Sequence, residues 1–456
     1  MIDQIKKDDV FEVEITDINN LGNGVGRIGG RVVFVRGAVT GDVAKVKIIK
    51  VNKSFLVARL EEIISPSSFR EDGFCTAPFS CGGCVYRHIT YSHELELKHN
   101  YVKNAFLKAG VSADVLPVIS AGRERGYRNK GMFPLTTVKG KVRAGFYATK
   151  THNVVPIYNC SIQNPIFCEI VDFVCELADE FSWSVYDEES GRGLLRHVYL
   201  RIGEKTGQVM LCLVINGSEL LHSDAFAERV RENFPCVVSI MLNFNCEDTN
   251  VVLGERYKTL YGQDGICDIL CGLEFYIRPS AFYQVNRDGA ELLYNKAREL
   301  ASLSGNEVVA DLYCGTGTIG LSMAKESKSV VGIEIEPSAV ECAKENAERN
   351  GIRNAEYFCG DASNIELWRE AFPCDSPDVV IFDPPRKGST QELIDTVSGA
   401  GVEKIVYISC SPDTLARDAA YLLEKGYNMG AVQPVDMFPR SGHVESVVCF
   451  KRQLDV

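Results

Sequence analysis

Beyond about residue 280, short apolar runs alternate with helical stretches, and this restricts the fold more than anything else in the 456-residue sequence. Glu307–Leu312 reads as a strand. The turn Asp311-Leu-Tyr-Cys-Gly-Thr-Gly-Thr-Ile-Gly320 follows it and opens a helix expected over Gly320–Lys325. Ser329–Glu334 is the next strand, Pro337–Asn350 a helix closed by Gly351, and Val379–Asp383 and Lys404–Ile408 are further strands with helices between. Strands alternating with helices imply an α/β, doubly wound, mostly parallel sheet of Rossmann-like type. Ligands of such sheets bind at the carboxyl ends of the strands, where glycines let the backbone approach them closely. Glu334 ends a strand, so its carboxylate can accept both hydroxyls of a ribose. Asp361, in Cys359-Gly-Asp361, could meet an adenine amine. The spacing Asp311-x-x-Cys-Gly-x-Gly departs from the Gly-x-Gly-x-x-Gly of dinucleotide enzymes.

The chain ahead of this region is built differently. Residues 8–62 read as short strands with glycine-rich turns, the pattern of a small barrel. Pro66 and its neighbouring serines mark a linker, a cysteine-rich loop runs from Cys75 to Cys84, and His93–Leu107 has helical spacing before Gly110. Residues 125–275 mix strand and helix, with strands at His197–Ile202 and Val209–Ile215. The Val209–Ile215 run is far shorter than the roughly 20 apolar residues of a membrane span. The polar N-terminus carries no secretory signal. Seventeen scattered cysteines in a chain this long argue against a secreted disulfide framework and for a reducing, cytoplasmic setting. Net charge is −12, yet residues 21–60 hold Arg27, Arg31, Arg36, Lys45, Lys47, Lys50, Lys53 and Arg59 against Asp42 alone. A second basic cluster runs from Arg123 to Arg143. Such patches can be plain solvated surface, or they can bind phosphates on an otherwise acidic protein.

Three further segments carry chemistry: Asp383-Pro-Pro-Arg386, Ser409-Cys410-Ser-Pro-Asp-Thr-Leu415 and Phe438-Pro-Arg-Ser-Gly-His-Val-Glu445. Asp-Pro-Pro alone also suits amino-group methylation. Cys410 separates the classes, because an exocyclic nitrogen is already nucleophilic and needs no thiolate. Uracil C5 is a poor nucleophile. Addition of a thiolate at C6 makes the ring an enolate whose C5 can attack a sulfonium methyl, and a base must then remove the C5 proton before the sulfur can leave. A cysteine and a carboxylate on adjacent strands supply both parts.

In this combination the chain resembles the RNA uracil-5 methyltransferase family, of the RumA and TrmA type. The resemblance covers essentially the whole chain and rests on Phe282-Tyr-Gln-Val-Asn286, Asp311 to Gly317, Asp383 to Arg386, Ser409-Cys410-Ser-Pro and His443-Val-Glu445, in the family's order. It implies S-adenosylmethionine as methyl donor, Cys410 as nucleophile and Glu445 as proton acceptor. Gln284, Tyr313, Thr318, Glu334, Asp361 and Asp383 match cofactor-binding positions, although Thr318 stands where relatives often carry a side-chain amide. Asp383 and Gln284 are also placed to contact the uracil or the nucleophile. Arg440 and His443 are left as loop-shaping residues.

Cys75, Cys81 and Cys84, with Cys160 as a distant fourth, can ligate zinc or an iron–sulfur cluster, and spacing alone does not choose. The resemblance implies a 4Fe-4S cluster that fixes loop geometry. It also implies a TRAM domain, an OB-like RNA-binding barrel, on which basic side chains with Phe34 and Phe55 suit backbone contacts and base stacking. The expected layout is a TRAM barrel over 1–64, a central iron–sulfur and RNA-binding unit over 70–275 whose helix 93–110 packs on the catalytic unit, and a methyltransferase unit over 276–456. The Arg128-Asn-Lys130 stretch of the central unit is expected to hold RNA. The expected partner is structured RNA, ribosomal 23S RNA ahead of transfer RNA, with no membrane and no obligate protein partner. The rival functions are amino-group methylation and non-catalytic RNA binding.

Overall fold

The computed structural model describes residues 5–373 and 376–453; the outermost residues of the expected first and last units lie outside these. Alternation in Val43–Val51 sends Ala44, Val46 and Ile48 into a common interior and leaves Lys45 and Lys50 outside. Val33, Val35, Leu56 and Ala58 complete that interior. Six strands enclose it, in the order Val10–Glu14, Val43–Val51, Phe55–Ser65, Arg31–Arg36, Asn23–Ile28 and Asp17–Ile18. Gly29 and Gly30, at φ 56° and 81°, join Asn23–Ile28 to Arg31–Arg36 in a two-residue turn that only residues tolerant of positive φ can make.

The apolar run Val209–Ile215 is buried throughout because its sheet is covered on both faces. Val209, Leu211, Leu213 and Ile215 pack beneath the helices Pro165–Glu180 and Ser223–Asn233. Met210 and Cys212 point the other way, into the core of the C-terminal unit. The sheet has seven strands and is antiparallel except where Val209–Ile215 runs parallel to Val237–Phe244. Among the described residues no helix is long and apolar enough to cross a membrane.

The C-terminal sheet has nine strands. Ala355–Cys359, Ser329–Glu334, Val308–Leu312, Val379–Phe382 and Lys404–Ser409 lie side by side and parallel, and Glu445–Arg452 closes against Lys404–Ser409 antiparallel. The chain builds outward from Val308–Leu312 first to one side and then to the other. The switch point therefore lies between Val308–Leu312 and Val379–Phe382, which opens a crevice at their carboxyl ends. The helix after the glycine turn starts at Thr318, earlier than expected, because Gly317 at φ 79° already turns the chain into it; it ends at Met323 and tightens to a 3-10 turn over Ala324–Glu326.

Residues 91–120 join this unit before the central sheet begins. Val102, Ala105 and Phe106 of the helix Tyr91–Lys108 share a core with Leu415, Ala416 and Ala419 of the helix Pro412–Glu424. Ile119–Ser120 then pairs with Gln433–Asp436. The junction holds buried charge. Lys98 Nζ donates to Glu94 Oε1 (2.6 Å), to Asp436 Oδ1 (2.7 Å) and to the Phe438 carbonyl (3.1 Å). The Arg440 amide donates to Glu94 Oε1 at 2.7 Å, and its guanidinium bonds the Ile89 carbonyl (2.6 Å), Glu71 (2.8 Å) and Glu124. Lys98→Met strands Glu94 and Asp436 without their buried cation. This should cost about 3–5 kcal/mol in urea unfolding at neutral pH.

Candidate active site

The crevice is lined by loops whose shape follows from a few fixed contacts. Asp311, fully buried, accepts the Gly320 amide at 2.8 Å and so ties the strand end to the first turn of the following helix. Burial, against that hydrogen bond, raises it to about 7. Glu334 accepts the Gly315 and Glu336 amides, each at 3.0 Å, which fixes its carboxylate at the mouth of the crevice. At Gly315 no atom lies within 4 Å of where a Cβ would stand, so this side of the loop is open space of the kind a ligand fills. Tyr313 adopts φ 64°, a conformation costly for an aromatic residue and maintained only by surrounding structure. Asp361 is exposed and turned onto Ser363, accepting its amide (2.9 Å) and hydroxyl (2.7 Å), and these bonds hold its carboxyl below the usual range.

Tyr294, which the sequence did not single out, joins several of these residues. Its hydroxyl lies 3.2 Å from Thr318 Oγ1, and the Gln284 side chain and the Asp383 charge both act on it. Gln284, Thr318 and Asp383 therefore share one wall. In the sequence Tyr294 is indistinguishable from a core residue on an amphipathic helix, since its partners come from three separate loops.

Cys410 and Glu445 meet across a strand pair. The register sets Ser409 opposite Ser446, so Cys410, one residue further on, faces Glu445 where the strands begin to part. Ser409 Oγ brackets the turn after the strand, accepting the Ser411 amide and donating to its carbonyl, both at 3.1 Å; Pro412 then starts the next helix. Burial raises Glu445 to about 8, with Asp383 adding to the shift and Arg386 opposing it. Burial alone raises Asp383 to about 7. The Cys410 thiol is pushed up to about 11 by burial and then by Glu445 and Asp383, against Arg386. A thiol, two carboxyls and one guanidinium thus form one electrostatic unit at the strand ends. Arg386 was legible only as the last residue of its motif.

The central sheet grips the segment bearing Gln284. Tyr199, Arg201 and Asn129, all fully buried, donate to the carbonyls of Pro279 (3.0 Å), Ala281 (3.0 Å) and Gln284 (2.9 Å), and the Asn129 amide donates to Val285 O at 2.9 Å. Asn129 is thereby removed from the RNA-holding stretch expected at Arg128-Asn-Lys130: it faces the catalytic unit rather than solvent. Arg440 is likewise structural, while His443 is exposed beside it.

Cys75, Cys81, Cys84 and Cys160 line one cavity of about 270 Å³, with Arg87, Arg128 and Lys130 on its walls. Among the described residues no three or more His, Cys, Asp or Glu side chains converge closely enough to hold a metal ion. The loop thus gathers four thiols around a common space without closing them into a ligand shell. Its donor chemistry, sulfur with flanking cations, still suits an anionic thiolate cluster.

The family described as tRNA (uracil-5-)-methyltransferase matches residues 273–453, and the TRAM domain matches residues 6–60. An RNA methyltransferase of Clostridium tetani, its activity not characterised, is 41% identical over 97% of this chain and 96% of its own length. One from Caldanaerobacter subterraneus is 40% identical over 99% of this chain and 100% of its own. The crystal structure of Pyrococcus abyssi tRNA (uracil-54, C5)-methyltransferase with S-adenosyl-L-homocysteine superposes with a TM-score of 0.78 at 26% identity, covering 96% of this chain and 100% of that one. With its barrel, its crevice and its relatives all in agreement, the chain belongs to the S-adenosylmethionine-dependent RNA uracil-5 methyltransferases.

Proposed function

We propose that the protein methylates C5 of a uridine in 23S ribosomal RNA through a covalent bond between Cys410 and C6. The facing pair of Cys410 and Glu445 carries this reading. The target base leaves its stack to reach the crevice. The thiol, held protonated by its surroundings, loses its proton to the Asp383 carboxylate as the sulfur bonds C6, and the C5–C6 π electrons move onto the ring as an enolate. C5 then takes the methyl of S-adenosylmethionine, leaving S-adenosylhomocysteine. Glu445 removes the C5 proton, the C5–C6 double bond re-forms, and the C6–S bond breaks to return Cys410. Glu334 is assigned to the ribose hydroxyls and Asp361 to the adenine. Tyr313, Thr318, Gln284 and Asp383 complete the cofactor wall, and Asp383 and Gln284 also reach the uracil edge.

Cys75, Cys81, Cys84 and Cys160 are assigned to a 4Fe-4S cluster whose part is to fix the loop against the barrel. Methyl transfer needs no redox step. The barrel and cluster together favour ribosomal RNA, while the similar archaeal structure, a transfer-RNA enzyme, keeps transfer RNA as the second reading. Incubation with labelled methyl donor and either unmodified RNA, followed by mass spectrometry, separates the two: 5-methyluridine in transfer RNA alone would overturn the ribosomal assignment.

Cys410→Ala should abolish 5-methyluridine formation. Glu445→Gln should accumulate a protein–RNA adduct that survives denaturing electrophoresis, because addition and methylation precede the step that needs the base. Normal turnover without adduct would remove Glu445 from that role.

Turnover should rise with pH towards about 8 and flatten above it as Glu445 becomes the free carboxylate. Its effect on stability has the opposite direction. An acid whose folded pKa lies above its unfolded value binds more protons folded than unfolded, so stability falls as pH rises from the usual glutamate range to about 8. Glu445→Gln should therefore melt above the native protein at pH 8 and close to it at pH 5. An equal difference at both values would show that Glu445 is not shifted.

Protein purified without oxygen should be brown and carry about four irons, and Cys84→Ala should lose both colour and iron. Stoichiometric zinc in a colourless protein would replace the cluster assignment.

A further inference from the structure

A second cavity, of about 370 Å³, opens between the barrel and the cysteine loop. Arg36, Arg87, His88 and Lys150 line it together with Leu21 and Phe79, and among the described residues no carboxylate does. Phe79 is 59% exposed although it is a large apolar ring. One face of it is covered: the Arg87 guanidinium lies 4.3 Å from the ring centroid and is itself fixed by a 2.7 Å bond to the Ala77 carbonyl. Arg36 holds the Phe79 backbone in place, donating to its carbonyl at 2.6 Å and to Thr149 Oγ1 at 3.2 Å. A fixed arginine–aromatic pair with an exposed ring is a stacking platform waiting for a third planar group. His88 is buried beside it, edge-on to Phe79 at 6.4 Å, and its Nε2 has no partner among the described residues.

The barrel extends this site. Its register places Arg36 beside Arg59, and Arg59 beside Lys47, in one outward row. Among the described residues, Arg59 and Lys47 pair with the surface carboxylates Glu61 and Asp8 respectively. Phe34 and Phe55 lie edge to face at 5.5 Å in the adjoining rows. The cavity wall also touches the catalytic unit: Gly22 packs against Val85, whose amide donates to the Arg440 carbonyl at 3.0 Å, in the loop that leads to Glu445.

We propose that this groove binds an unpaired nucleotide of the substrate RNA, flanking the target uridine, with its base on the open face of Phe79 and its phosphates at Arg36 and Lys150. A duplex is a poor occupant because its bases hide their faces in the stack, whereas a single strand offers base faces and backbone charge together. The inference rests on the RNA reading above but concerns binding alone.

The test uses the whole protein and a fluorescein-labelled RNA single strand of about 12 nucleotides, within the span an OB-type barrel covers, beside the same strand in a duplex. Phe79→Ala should weaken single-strand binding about tenfold, the scale of one lost base stack, and leave duplex binding unchanged. Phe79→Tyr should bind like the native protein. Lys150→Glu should weaken single-strand binding and lower the slope of log affinity against log salt by about one. Affinity for S-adenosylhomocysteine should stay unchanged throughout. Native-like binding by Phe79→Ala, or equal loss with Phe79→Tyr, overturns the groove. If Phe79→Ala loses single-strand binding while the native protein methylates no RNA, the methylation reading falls and the groove stands. If methylation proceeds and Phe79→Ala binds normally, the groove falls and that reading stands.

Discussion

Two buried cations and two buried carboxylates, Lys98 and Arg440 with Glu94 and Asp436, hold the rest of the structure in relation to the active site. Charges taken out of water are costly unless each is paired and hydrogen-bonded, and here each member meets at least one opposite charge or carbonyl. The arrangement specifies position more than it adds stability. Only one docking of the helix Tyr91–Lys108 against the segment ahead of Glu445 satisfies all four groups. That segment also receives the Val85 and Tyr86 amides at the Arg440 carbonyl, which anchors the end of the cysteine loop. One junction therefore sets the helix, the cysteine loop and the approach to the candidate base.

The site itself sets protonation against burial. A buried thiol beside two carboxyls is a poor standing nucleophile, and a buried carboxyl beside another is a reluctant base. The same burial makes proton exchange among these groups local. Arg386 is the counterweight, lowering both Cys410 and Glu445. A resting thiol at about 11 also resists adventitious oxidation, since only the thiolate reacts readily.

Much of this was legible in the sequence. Short apolar runs between helices implied the doubly wound sheet, and the short strands with glycine-rich turns over residues 8–62 implied the barrel. Cys410 and Glu445 could be paired on chemical grounds because carbon methylation demands a nucleophile and a base. The switch point was hidden, since strand order is a property of the sheet and not of any segment. Tyr294 and Asn129 were hidden for a related reason: a buried polar residue shows its purpose only through partners distant in sequence, as when Asn129 holds the Gln284 carbonyl. Within Arg128-Asn-Lys130 the charge is visible in the sequence, whereas the burial of Asn129 is not.

The path of residues 91–120 has a consequence for synthesis. This helix and edge strand are made well before their partners, Pro412–Glu424 and Gln433–Asp436, which follow far later in the sequence. Val102 and Phe106 stay uncovered while the whole central sheet is translated, and Met210 and Cys212 wait as well for the core they complete. The barrel can close from strands adjacent in sequence, whereas the catalytic layer must wait until segments far apart in sequence are all present.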